Sequence, residues 1–467
     1  MTVAATLHHA SPAIQQRAAR SRRAVREFNA LFRLAGPIAA VGLLNMGMSL
    51  TDVIMVGWLG ADALAAVAVM SDAYSIVFYL AAGILAATAP LIAHARGAGR
   101  QAAVRQTVRH GIWTAGIVAI PAAGLVWLAP DLMAALGLSP ALVELGAPYG
   151  RVMACTVALM VPVALWRQVL SAHERPQVFM WFTAAALPLN AAGNYLLMFG
   201  ALGFPGIGIV GAAVSSAMVA AAMAIGLTLY AMTAPGLSEC RIGRDLTRIS
   251  ATRLIEILRI GLPIGLSSLA EVGTFLTATI VIAVFPAESV AAHTITLRVA
   301  GVFYGPLNAI GQAATVRTAL ANGARDRASL RLVERAALVA GVTVGGVFLV
   351  ALAGASQTLP WAFLPAADPK AAQAASLAAG LLVLLGLCQV AQGMGSAVLG
   401  ILRGWRDVRV PMILNIASQW GVGFPIGMVL AFGSGFGAAG IWTGLLAGTA
   451  VAAVANLARW RMLSRRR

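Results

Sequence analysis

The chain has 467 residues, 60% of them hydrophobic and only 10% charged, with 33 Lys and Arg against 16 Asp and Glu. A soluble domain carries about 25% charged residues so that its surface can face water, so this composition excludes a water-soluble globular enzyme. The formal net charge of +17 does not mark a nucleic-acid binder either, because the arginines lie in short clusters between apolar runs and not on one amphipathic face.

Apolar runs bounded by charged or turn-forming residues predict twelve membrane spans. In chain order they cover residues 34–58, 70–94, 107–128, 145–166, 179–200, 208–233, 254–284, 290–319, 332–354, 374–401, 411–432 and 438–458. Runs of this length suffice, since about 20 residues rising 1.5 Å each cross the roughly 30 Å hydrocarbon core. Counting basic residues around the spans puts 30 of the 33 Lys and Arg on one side, leaving Arg151, Arg298 and Lys370 elsewhere. Basic residues stay cytoplasmic, so both termini are expected there. Residues 1–33 carry six arginines and no signal-peptide cleavage site, which reads as a cytoplasmic tail; an organelle transit peptide is the alternative. Cys155, Cys240 and Cys388 are too dispersed for a disulfide framework or a metal spacing and read as small packing residues.

The spans repeat. Pro37 of Ala-Gly-Pro-Ile and Pro263 of Gly-Leu-Pro-Ile are 226 residues apart, as are Gly97 and Gly323 in the loops Arg-Gly-Ala-Gly-Arg and Asn-Gly-Ala-Arg-Asp. Gly200 and Gly433, and again Gly211 and Gly444, are offset by 233. Six spans in each half, starting on the same side, make parallel repeats about an axis along the membrane normal, an organisation found in secondary transporters. The resulting division is a tail at 1–33, a six-helix lobe at 34–233, a cytoplasmic linker at 234–253, a second six-helix lobe at 254–460 and a basic tail at 461–467. The fold class is therefore an all-α integral membrane protein, two six-helix bundles related by a pseudo-two-fold axis.

The sequence resembles the multidrug and toxic compound extrusion (MATE) family, in particular its NorM-like branch, from about Arg33 to Trp460. The residues that carry the resemblance are Met48-Ser-Leu-Thr-Asp-Val-Ile-Met-Val-Gly57, Pro90-Leu-Ile-Ala-His-Ala-Arg-Gly-Ala-Gly-Arg100, Asn190-Ala-Ala-Gly-Asn-Tyr195, Leu262-Pro through Glu271-Val, Val290-Ala-Ala-His293 and Leu402-Arg-Gly-Trp-Arg-Asp407. Membership implies a cation-coupled antiporter that expels organic, mostly cationic compounds in exchange for H⁺ or Na⁺.

Three acids, Asp52, Asp72 and Glu271, fall well inside spans. Burying one costs about 2.5–3.5 kcal/mol on insertion scales, so such acids tend to face a cavity and to be functional. Asp52 is the candidate proton-coupling acid of the first lobe, the position to which the resemblance also points; the bland reading is a helix-end acid at the outer surface. Glu271 is the sole acid buried in the second lobe, and the resemblance makes it a cation-binding carboxylate; the alternative is a structural acid bonded within the bundle. NorM-type members usually carry a further acid in span 10, where Gln392 stands here. An amide has no charge and takes up no proton, which favours H⁺ over Na⁺. Asn190 and Asn194 share one face of span 5 and are candidates for a network with Asp52, or for packing between helices. Asp72 is an accessory candidate and reads more readily as an interfacial acid.

Met48, Met55, Phe275 and Phe303 are weak candidates for a plastic substrate pocket, with lipid-facing or core packing as the commoner fate. Trp166, Trp181, Trp405 and Trp460, near span ends, read as interface anchors. Neither a catalytic motif nor a metal-ligand spacing is present, and no loop is long enough for a nucleotide domain. No cofactor is expected beyond the coupling ion, H⁺ or Na⁺. The expected partners are small organic cations and the lipid bilayer of the bacterial inner membrane, with no nucleic acid and no obligate protein partner, the chain being a monomer. Two readings compete with drug antiport. A flippase or exporter of a lipid-linked or other hydrophobic solute calls for a strongly basic cavity, and Arg298 is the one clearly intramembrane base. A membrane-embedded lipid-modifying enzyme calls for paired Asp or His clusters, which the sequence lacks.

Overall fold

The computed structural model describes residues 12–200, 203, 205–238, 247–365 and 370–465, with side chains from Arg22 onward. Among the described residues the chain is helical, without strands. We number the long helices α1 (Pro12–Gly57), α2 (Ala61–Gly97), α3 (Gln101–Trp127), α4 (Pro140–Ala172), α5 (Pro176–Phe199), α6 (Ile209–Thr233), α7 (Ala251–Ile282), α8 (Ala287–Gly323), α9 (Arg327–Ala355), α10 (Ala371–Gly404), α11 (Arg409–Gly433) and α12 (Gly437–Arg465). Ten of them are long and apolar enough to cross a membrane by themselves. The exceptions are α5 and α8, whose interiors carry Asn190 and Asn194, and His293, Arg298, Asn308 and Gln312. Polar residues dilute the apolar signal in those two helices.

Most helices outrun the apolar windows that announce them, because a helix goes on satisfying backbone groups into the interface. The largest difference is at the start. The segment expected as a tail up to residue 33 is already helical from Pro12 and runs into α1 without a break, since Ala, Arg, Gln and Glu are good helix formers and no breaker intervenes. Of the 234–253 segment, residues 239–246, and with them Cys240, lie outside the described residues. Cys155 is exposed, not packed inside. Proline bends the scaffold: α2 breaks after Leu85, where the Pro90 ring meets the carbonyl four residues earlier. Around Pro425, α11 widens into π-helical turns at Ala417–Gly423 and Val429–Gly433.

Helix pairings repeat between the halves. Within the first half α2, α3 and α6 pack on α4, and α1 and α6 on α5; within the second, α8, α9 and α12 pack on α10, and α7 and α12 on α11. The pairs that join the halves are related in the same way, α1 against α8 and α7 against α2. The turns repeat as well. Gly99, Glu174, Arg325 and Arg406, which follow α2, α4, α8 and α10, all take positive φ. In each turn the next amide bonds back five residues, Arg100 to Ala95, Arg175 to Leu170, Asp326 to Ala321 and Asp407 to Leu402, the Schellman closure.

All four turns lie on the arginine-rich side, and there the halves meet. One apolar cluster runs through both, from Leu31, Ile92 and Leu170 to Leu307, Ala319 and Ile401. The symmetry is visible in the contacts: a side chain at Gly97 would strike the backbone of Leu320, and one at Gly323 the backbone of His94, which are equivalent positions 226 residues apart. Gly83 packs backbone-to-backbone on Gly265. Polar links cross at the same end. Arg317 of α8 pairs with Glu27 of α1 and with Glu174 after α4, and Arg23 pairs with Asp326. The buried His110 of α3 accepts the backbone N–H of Ser250, the residue that opens α7, at 2.9 Å. Away from this end the halves have separate cores, one built on Val56, Met70 and Val157, the other on Ile282, Leu382 and Trp442. The halves are thus joined on the arginine-rich side and carry separate cores toward the other.

Candidate functional site

The first polar centre lies in the first half. Asp52 is half-buried on α1, five residues before the helix ends at Gly57, so it is not a helix-end acid in solvent. Its Oδ1 accepts Asn194 Nδ2 at 2.5 Å. Asn190 and Asn194 are fully buried; one helical turn apart on α5, they are joined Nδ2 to Oδ1 at 3.5 Å. Pro188 leaves that part of α5 with a gap in its backbone ladder, and Ser215 of α6 donates to the Asn190 carbonyl at 3.1 Å. The Asn190 side chain also reaches toward the Asp52 carboxylate, while the buried Asn194 Oδ1 has no hydrogen-bond partner among the described residues. A neutral carboxyl and a primary amide form a two-bond pair, N–H to C=O and O–H to C=O. The Asn194 oxygen is thus an acceptor that an ionised Asp52 cannot use and a protonated one can.

The second centre lies in the second half. Gln392 Nε2 of α10 donates to Glu271 Oε1 of α7 at 3.1 Å. The Tyr304 hydroxyl of α8 also reaches this carboxylate, and Arg403 is close enough to act on it through its charge. At Gln392 the carboxylate therefore meets an N–H donor, where a second acid would have brought a second charge. Asp72 is exposed on α2 and feels the charge of Arg298 on α8, in the other half; it belongs to neither centre. Arg298 also borders an apolar hollow of about 700 Å³ at the outer ends of α7 and α8, lined by Phe285, Ile295 and Phe363.

The candidates named from the sequence part company here. Asp52 comes together with Asn190 and Asn194, and Glu271 with Gln392. Met48, Phe275 and Phe303 are partly buried against apolar clusters, Phe303 edge-on to Phe348 at 4.7 Å. Met55 is a correction: it lies in the core of the first half and is not open to a substrate, because its face of α1 turns inward. Trp166 and Trp405 are corrections too. Both are buried in the shared core, and the Trp166 indole N–H donates to Thr228 at 2.9 Å; α4 running on to Ala172 carries Trp166 inside, and Trp405 caps the end of α10 against the same core. Trp181 is exposed, at 68%, as an anchor should be. Sequence reasoning passed over Ser71 and Tyr149, bonded at 3.2 Å with Tyr149 near Asp52. It also passed over Tyr304, Asn308 and Gln312 on α8, whose four-residue spacing was the available signal.

Comparison with known proteins places this architecture. The MatE family model matches residues 37–196 and again 263–429. The chain belongs to the MatE family. The Mesorhizobium japonicum probable multidrug resistance protein NorM is 34% identical over 437 residues, 93% of each chain. Its Burkholderia mallei counterpart is 35% identical over 92% of this chain and 91% of its own. Among solved structures, an outward-facing multidrug resistance MATE family transporter superposes with a TM-score of 0.85 at 21% identity, over 93% of this chain and 95% of that one. The eukaryotic MATE transporter AtDTX14 gives 0.83 at 20% identity, over 94% and 96%. This MatE chain is accordingly a multi-pass membrane transporter and not an enzyme.

Proposed function

We propose that this MatE transporter is an H⁺-coupled antiporter of the bacterial inner membrane that exports organic, mostly cationic compounds by alternating access between two six-helix lobes. Both termini are cytoplasmic in this reading. The arginine-rich side is then the inner one, and the joining of the halves there makes this an outward-facing conformation. The observation that carries the proposal is the amide pair around Asp52. Asn194 Nδ2 holds the ionised acid and its buried, unpartnered Oδ1 awaits the protonated one, so both protonation states have a bonding partner. Such a residue can release a proton when a cationic substrate arrives and take one up when it leaves. Glu271 is the cation-loading carboxylate of the second lobe. Its Gln392 partner supplies no second charge, which favours H⁺ over Na⁺.

The test is ethidium efflux from preloaded cells lacking their own drug pumps, comparing wild type with Asp52→Asn. A protonophore is added or withheld, with Na⁺ or K⁺ outside. Efflux that collapses both with the protonophore and with Asp52→Asn supports the proposal. Efflux that follows external Na⁺ and survives Asp52→Asn moves the coupling to Glu271 and overturns the H⁺ assignment. Absence of efflux in the wild type turns attention to export of another hydrophobic solute.

A further inference from the structure

A line of polar side chains runs through the second half and ends in the first. On α8, Tyr304, Asn308 and Gln312 are spaced four residues apart, so they stack on one face. Asn308 Nδ2 donates to the Tyr304 hydroxyl at 2.9 Å, and Gln312 Nε2 donates to Asn308 Oδ1 at 3.3 Å. At the upper end the Tyr304 hydroxyl lies close enough to the Glu271 carboxylate to act on it. At the lower end Arg167 Nη2, on α4 of the first half, donates to Gln312 Oε1 at 3.1 Å. Tyr79 of α2 lies near both Tyr304 and Arg167.

Chemistry imposes one direction on this line. A guanidinium only donates and a carboxylate only accepts. Gln312 must therefore turn its oxygen to Arg167 and its nitrogen to Asn308, Asn308 must do the same one turn up, and the Tyr304 hydroxyl, accepting from Asn308, must point its hydrogen toward Glu271. Every donor points from the cation to the anion, the arrangement in which successive bonds polarise one another and strengthen. The Arg167–Gln312 bond is the rung that crosses between the halves, at the end where they are closed.

We propose that this ladder, with Arg167 and Gln312 as its coupling residues, transmits the charge state of Glu271 to the contact between the lobes. It rests on the reading of Glu271 as the cation-loading residue. With Glu271 ionised the ladder has its terminal acceptor, and the Arg167–Gln312 contact is at its strongest. Loading a cation onto Glu271 cancels that charge, removes the reason for the alignment and weakens the contact. Closure of the arginine-rich end thus belongs to the unloaded carboxylate and release to the loaded one, the sign an antiporter needs if entry of the coupling ion is to precede inward opening. The clasp of Arg317 on Glu27 and Glu174 and the Arg23–Asp326 pair hold the same end shut, but none of these has a bond to Glu271. The ladder biases a closure that they help to make.

The experiment uses the full chain in lipid nanodiscs, with spin labels at Arg100→Cys and Arg327→Cys after replacement of the three native cysteines. Pulsed dipolar spectroscopy then gives the ratio of separated to closed arginine-rich ends. Glu271→Gln should raise that ratio up to about fivefold, because the Arg167–Gln312 bond loses a fraction of its strength and is not broken. In a Gln312→Glu background the ends should stay closed, because a carboxylate still accepts from Arg167. Glu271→Gln should then have no further effect, because that carboxylate no longer donates to Asn308. Arg167→Lys, which keeps a charged donor, should preserve the response and show that the fold tolerates change at this position. An equal shift on Glu271→Gln in the wild-type and Gln312→Glu backgrounds overturns the proposal. If Glu271→Gln abolishes cation-driven efflux and leaves the distances unmoved, the ladder fails while the role of Glu271 stands. If Glu271→Gln leaves efflux and its cation dependence intact, the reading of Glu271 falls and the proposal falls with it.

Discussion

Gly323 sits where the end of α8 crosses the end of α2. A Cβ placed there would lie 2.9 Å from the His94 carbonyl carbon and 3.1 Å from Ala98 N, and closer still to the His94 oxygen. That oxygen already accepts the Ala98 N–H at 3.0 Å, so it cannot turn away. Bringing the carbonyl carbon alone to an ordinary 3.4 Å contact needs the two backbones to part by at least about 0.5 Å, and overpacking of this kind costs about 1–3 kcal/mol. The clash exists only while the two halves touch at this end. A molecule able to part them there escapes the cost, so Gly323→Ala should raise the separated population about 5- to 150-fold. The gain of about 0.5–1 kcal/mol in helix propensity applies to both conformations and cancels. Gly97→Ala, its symmetry mate against Leu320, should act the same way, and the double variant should shift the ratio further, because the closed conformation carries both clashes and one separation relieves both. Spin labels at Arg100→Cys and Arg327→Cys report the distance. A lowered melting temperature with an unchanged distance distribution would refute the reasoning, since it would mean that the halves cannot part at this end.

Three further expectations can be checked by thermal melting of the purified protein. Burial, with the Arg96 and Arg175 guanidiniums nearby, pushes His173 down to about 4; the unfolded chain takes up that proton near 6.5. The contribution of His173 is therefore complete above 6.5 and lost as the pH falls toward 4, by up to a few kcal/mol, and His173→Asn should flatten the melting profile across that window. Arg325, at φ 55°, occupies a left-handed position that costs a side-chain-bearing residue about 1–2 kcal/mol. Arg325→Gly should thus raise the melting temperature, after the greater chain entropy of glycine offsets part of the gain. Trp166→Phe removes the bond to Thr228 and should cost about 1 kcal/mol, whereas a tryptophan anchored at the bilayer surface would tolerate phenylalanine.

Sequence alone determined the membrane class, the order of the spans, the arginine asymmetry and the 226-residue repeat, because each depends on local composition or on internal likeness. The equivalence of Gly97 and Gly323 was legible as an offset, and the four matching turns and the mirrored contacts with Leu320 and His94 are its structural expression. Asp52 and Glu271 stand out as candidates from sequence, since an acid within an apolar run is conspicuous whatever surrounds it. Tertiary structure alone decided which apolar and aromatic side chains face protein and which face lipid. Both environments are apolar, so a helical pattern does not separate Met55, Trp166 and Trp405, which are core residues, from Trp181, which is exposed. It also decided which polar residues meet. The spacing of Tyr304, Asn308 and Gln312 puts them on one face of α8, but only the crossing of α8 with α4 brings Arg167 to the end of that row, because a contact between helices more than a hundred residues apart leaves no mark on either one.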